Sequence, residues 1–123
     1  MRLRRFTSGA SLWLSSVVLE ELYAGADSRA QRLLERLERD FERAQRILVP
    51  NLSDWSRCGK VLGLLAAKYD YERIGQGRLT NDALIAVSAG RMGITVLTAN
   101  KRDFARIAEI RSFAWELENP LGA

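Results

Sequence analysis

The stretch NDALIAVSAGRMGITVLTANKRDF, residues 81–104, decides the fold. Thr80-Asn81 can cap a helix, and Ala83, Leu84, Ile85, Val87, Ser88 and Ala89 then carry small or apolar side chains on nearly every face. That pattern predicts a helix buried against a sheet, ending near Gly93. Ile94-Thr95-Val96-Leu97-Thr98 is β-branched and apolar, bounded by Gly93 and Asn100, and reads as a buried parallel strand. Asn100 opens the next helix, through Phe104 and Ile107. Arg111 to Trp115 is the expected last strand and Glu116 to Ala123 a tail.

Working back from this stretch, Gly75-Gln76-Gly77 is the clearest loop. Asn51 or Ser53 caps a helix expected to reach Tyr71, with Val61, Leu64, Leu65 and Tyr69 as its core face. Ile47-Leu48-Val49 is a short strand that Pro50 closes. From Ser28 to Ile47 apolar residues recur at helical spacing while arginines and glutamates fill the other face, which reads as a solvated amphipathic helix. Ser11 to Leu14 forms a buried strand ending in capping serines, and Val17 to Gly25 a helix. Strands alternating with helices argue for an α/β layered fold with a mostly parallel sheet.

Length and composition bound the function. The 123 residues fit one domain, residues 1–123, with an ordinary 47% of hydrophobic residues. No apolar run is long enough to span a membrane and no export signal is read, so a cytoplasmic location is expected. There is no histidine and only one cysteine, Cys58, which reads as a buried, inert thiol. Intramolecular disulfides, Cys/His zinc sites and His-dependent triads are thereby excluded. Net charge is +4 and arginine dominates, which suits phosphate contacts.

Three carboxylates then stand out: Glu21 on the helix after the first strand, Asp82 opening a helix, and Asp103 just past the strand ending at Thr98. A parallel arrangement would bring them to one edge of the sheet, where ligands gather beyond the strand ends. Carboxylates crowded together need a cation among them, and oxygen ligands without His or Cys select magnesium or manganese. Each acid also has a structural reading. Asp82 in a first helical turn would serve the helix dipole, and Asn100 with Asp103 has the spacing of a cap and its N3 acid. Glu21 would be one more exposed helix glutamate. On that reading the protein is a small α/β interaction module.

Three segments in this order resemble the PIN domain, most closely the VapC-type toxin ribonucleases of bacterial toxin–antitoxin modules. They are Glu21-Leu22-Tyr23-Ala24-Gly25, Asp82-Ala83-Leu84-Ile85-Ala86, and Thr98-x-Asn100-x-x-Asp103-Phe104. Glu20 fits the first of these less well than its neighbour. The resemblance runs from about Leu12 to Trp115. It implies a three-layer α/β/α fold and a magnesium- or manganese-dependent endoribonuclease. Glu21, Asp82 and Asp103 would be its catalytic, metal-binding acids, and Thr98 and Asn100 supporting groups that orient a ligand or water. RNA as substrate, a cognate antitoxin and a homodimer would be the partners, with Lys101 and Arg102 beside the site as phosphate contacts.

One part of the family pattern has no counterpart here: a first strand bearing an aspartate and most of the following helix. The eleven residues before Leu12 hold no acid, and Arg2, Arg4 and Arg5 resemble the end of that helix. An N-terminally shortened fold is therefore expected, its gap closed by shifted strands, by residues 1–6 or by a partner subunit. The implied activity is that of a toxin ribonuclease impaired by the missing acid. The alternative is a non-catalytic PIN-like protein that binds RNA or an antitoxin.

Overall fold

The computed structural model describes residues 12–69 and 77–118, and the chain gathers into two compact units, Met1–Val49 and Pro50–Ala123. In the first, β1 (Leu14–Ser15) runs straight into α1 (Ser16–Ala24). The turn is made by Ser15, extended in backbone, whose hydroxyl accepts the Val17 N–H at 3.2 Å. Asp27 caps α2 (Ser28–Arg43) in the same way, its carboxylate accepting the Ala30 N–H at 2.8 Å. β2 (Ile47–Leu48) lies parallel to β1, with Leu14 opposite Ile47 and Ser15 opposite Leu48. Leu14, Val17, Val18, Leu19 and Leu48 are buried, and the Tyr23 hydroxyl donates to Glu38 at 2.8 Å, joining α1 to α2.

The second helix ends at Arg43, short of the expected Ile47. Gln45 takes φ +57°, its N–H donates to the Glu42 carbonyl and the Arg46 N–H donates to the Phe41 carbonyl. This is the left-handed helix terminus that glycine usually occupies, and glutamine hid it from a composition-based reading. We expect Gln45→Gly to stabilise the protein by about 1 kcal/mol, since only the backbone strain is relieved. Urea denaturation measures it; an unchanged or lower midpoint would count against strain at this residue.

The second unit is built around one buried helix. α3 (Leu52–Tyr69), α4 (Gly77–Met92), β3 (Val96–Thr98), α5 (Lys101–Ile110) and β4 (Trp115–Leu117) follow in order. α3 and α5 both pack against α4, which is buried at every residue from Asp82 to Ala89. The buried Ser88 hydroxyl is satisfied by the carbonyls of Leu84 at 2.7 Å and Ile85 at 3.1 Å. α4 ends as expected: Gly93 takes φ +67° and the Ile94 N–H reaches back to the Ala89 carbonyl at 2.9 Å. β3 and β4 are parallel, pairing Val96 with Trp115 and Thr98 with Leu117.

Several boundaries move. α4 starts at Gly77, so Thr80 and Asn81 lie inside the helix and do not cap it. The last strand covers Trp115–Leu117, not Arg111 to Trp115, and takes in part of the expected tail. On α3, Val61 and Leu65 are buried as expected, but Leu64 is 56% exposed. The buried stripe is Asp54, Cys58, Val61 and Leu65, and Leu64 lies roughly 100° around the helix from Leu65. Burial pushes the Cys58 thiol pKa up, in keeping with an inert role. The Gly75-Gln76 part of the loop and the proposed closure of the sheet by residues 1–6 fall outside the described residues. Both described strand pairs are parallel and helices dominate, which is an α/β architecture. Among the described residues no helix is long and apolar enough to cross a membrane.

Candidate active site

The C-terminal end of β3 and the starts of two helices organise the acids of the second unit. Thr98, buried at the end of β3, accepts the backbone N–H of Asn100 on its hydroxyl at 3.0 Å. Asn100 caps α5, its side-chain oxygen accepting the Asp103 N–H at 3.3 Å. That leaves the Asn100 amide nitrogen pointing across to α4. It donates to Asp82 Oδ2 at 3.0 Å and to Asp103 Oδ2 at 2.9 Å. Two carboxylates carried by different helices thus converge on one polar hydrogen-bearing group. The assignment of nitrogen and oxygen in this amide is set by the network: the oxygen faces an N–H donor and the nitrogen faces two acceptors.

This geometry separates the readings of the two aspartates. α4 begins at Gly77 and has no acid in its first turn, so Asp82 sits in the second turn and does not serve the helix terminus. It is only 8% exposed, and a carboxylate held there costs desolvation that dipole capping does not explain. Asp103 does lie in the first turn of α5, where the dipole favours it. Its carboxylate nevertheless turns to the Asn100 side chain, because the Asn100 N–H is already taken by Thr98. The reciprocal cap expected of an N3 acid is therefore absent at this helix. Of the two expected supporting groups, Asn100 donates to both carboxylates and Thr98 holds the Asn100 N–H.

Glu21 lies in the first unit, exposed on α1 next to the equally exposed Glu20. Lys101 and Arg102 are exposed in the first turn of α5. Among the described residues no three His, Cys, Asp or Glu side chains form a group that could hold a metal ion. What the second unit supplies is a pair of carboxylates with an amide and a hydroxyl behind them. The two carboxylates are the oxygen donors, suited to a hard divalent ion and unsuited to zinc in a Cys/His site, while the amide and the hydroxyl are engaged in holding this corner together.

A polar lock elsewhere in this unit went unread in the sequence. Asp54, with no exposed surface, accepts both the Arg91 Nε–H at 3.0 Å and an Arg91 terminal nitrogen at 2.9 Å. It also accepts the Asn51 N–H at 2.9 Å, while Asn51 Oδ1 accepts the Asp54 N–H at 2.8 Å. This is a capping box at the start of α3 tied to the end of α4. Asn51-x-x-Asp54 has the spacing for it, but nothing local names Arg91 as partner.

The model of the PIN domain matches residues 1–110. The chain belongs to the PIN-domain family. The match covers most of the chain. PIN domains are nuclease- and RNA-related proteins and are generally dependent on divalent metal ions. No curated protein matches the chain. In this PIN domain the Asp82-to-Ala86 motif is the buried middle of α4, and the Thr98-to-Phe104 motif is the strand end and helix cap that face it.

Proposed function

We propose that this PIN domain is a magnesium- or manganese-dependent endoribonuclease of the VapC toxin kind, with Asp82, Asp103 and Glu21 as its metal-binding acids. The observation that carries the reading is the convergence of Asp82 and Asp103 on the single Asn100 amide. A buried aspartate that shares one amide donor with a second carboxylate is an expensive arrangement unless positive charge is held nearby. Magnesium or manganese bound at these acids would supply activation of water and stabilisation of charge on the scissile phosphodiester. The protein's own groups do the rest. Thr98 and Asn100 fix the two carboxylates before substrate arrives, and Lys101 and Arg102, exposed at the same helix start, meet the phosphate. Glu21 is the third acid by family resemblance, and a cognate antitoxin and a homodimer follow from that resemblance too; a cytoplasmic location rests on the sequence reading of no export signal.

With two converging acids where the family pattern has more, weak metal affinity and impaired cleavage are expected. Manganese titration followed by calorimetry tests this. We expect saturable heat from the unaltered protein and none from the Asp82→Asn, Asp103→Asn double variant. Equal heats from the two proteins would leave the acids as structural groups. An RNA- or antitoxin-binding protein without cleavage is the reading then favoured.

A further inference from the structure

Helix α2 carries a feature that neither the metal site nor packing absorbs. Arg29, Arg32, Arg36, Arg39 and Arg43 recur at three- and four-residue spacing. At 100° per residue they fall within about 80° of one another and extend about 21 Å along the helix. All five are exposed, and no residue of α2 is fully buried. Half-buried Leu34, Leu37 and Phe41 take one side of the helix, Glu35, Glu38 and Glu42 another, and the arginines a third, with exposed Asp40 at the edge of the arginine arc.

Salt-bridged surface helices place opposite charges three and four residues apart, whereas here each arginine has another arginine at that spacing. Such like-charge neighbours destabilise a helix by about 0.2–0.5 kcal/mol each. Glu35, Asp40 and Glu42 stand at pairing distance in sequence, yet among the described residues none of the five arginines closes an ion pair.

We propose that this arginine column binds the sugar–phosphate backbone of single-stranded RNA. The proposal rests on RNA being the substrate, and it assigns to α2 the task of holding the strand. Five guanidinium forks along about 21 Å can follow several successive phosphates of one strand. An acidic helical partner would call for an apolar seam beside the charges, and only Leu33 offers one. Backbone contacts of this kind give affinity and salt dependence without base preference.

The test is anisotropy of a labelled single-stranded oligoribonucleotide in EDTA, so that cleavage does not intervene, at several salt concentrations. The Arg32→Gln, Arg36→Gln variant is compared with Lys60→Gln, Arg111→Gln, which removes two exposed charges outside the column. We expect the column variant to bind about tenfold more weakly, with a salt slope shallower by about 1.4. The control pair should match the unaltered protein, and circular dichroism should show equal helix content for all three. Equal losses in both variants, or no loss in either, overturn the column. Equally tight binding of polyglutamate, weakened in parallel by the column variant, overturns RNA as its ligand. If the column variant alone weakens RNA binding while manganese gives no heat with the unaltered protein, the metal reading fails and the column stands.

Discussion

Asp82→Asn is expected to lower RNA cleavage by about a thousandfold while leaving the fold intact. The magnitude follows from a several-kcal/mol contribution of charge at the reacting phosphate, converted at tenfold per about 1.4 kcal/mol. The fold survives because asparagine keeps a side-chain oxygen that can accept from Asn100, as Asp82 Oδ2 does at 3.0 Å. Asp103→Asn should behave alike. Glu21 gives the sharpest version of the experiment, since it is exposed on α1 beside an equally exposed Glu20. Glu21→Gln should lose activity as the aspartate variants do, and Glu20→Gln should not. Neither change should move the melting temperature, because neither glutamate is buried. Single-turnover cleavage of a labelled RNA under saturating manganese reads the difference. Equal activity of all these variants would show that any cleavage comes from somewhere other than these acids.

Asp54→Ala is expected to cost about 3–5 kcal/mol of stability, a large effect that does not involve substrate. Removing the carboxylate takes from Arg91, whose side chain is 28% exposed, its two-point ion pair and leaves the Asn51 N–H without this acceptor. The same pair predicts an acid transition. Burial acts to raise the Asp54 pKa, but the Arg91 hydrogen bonds and then the Asn51 N–H outweigh it and hold the carboxyl below its ordinary value. A folded pKa below the unfolded one means stability that is fully present above about pH 3.9 and lost as pH falls through the folded value. Urea midpoints taken from neutral to acid pH should therefore fall more steeply in the unaltered protein than in Asp54→Asn. Parallel curves would show that Arg91 contributes nothing to the ionisation.

How much of the site was legible in the sequence differs residue by residue. The motif containing Asp82 was legible as a buried helix because its apolar residues have no polar face. The start of that helix was not, since Thr80 and Asn81 mimic a cap while Gly77 begins the helix. That error mattered: it assigned Asp82 to the helix terminus, and moving the boundary removes the assignment. Asn100 was legible as a cap, and its side chain does accept the Asp103 N–H. That its other amide atom reaches α4 was not, because the contact spans eighteen positions.

The arginine column teaches a related lesson. Charge composition along Ser28 to Ile47 reads as a solvated face, and what distinguishes a ridge from a mixture is that the arginines share one arc and, among the described residues, close no ion pairs. Likewise the helix end at Gln45 was invisible because glutamine carries no local signal for a left-handed backbone, whereas Gly93 announces the same geometry by residue type.

By itself, the sequence determined the α/β alternation, the absence of histidine chemistry, and the identity of Glu21, Asp82 and Asp103 as the acids to examine. Periodicity and residue type suffice for these because they depend on neighbours within a turn or a strand. Only the tertiary structure decided that Asp82 and Asp103 meet at Asn100, that Thr98 holds the Asn100 N–H, and that Asp54 is held by Arg91. The physical reason is the same in each case. A hydrogen bond between separate elements is fixed by how helices pack, and packing is set by the whole core rather than by the residues that make the bond.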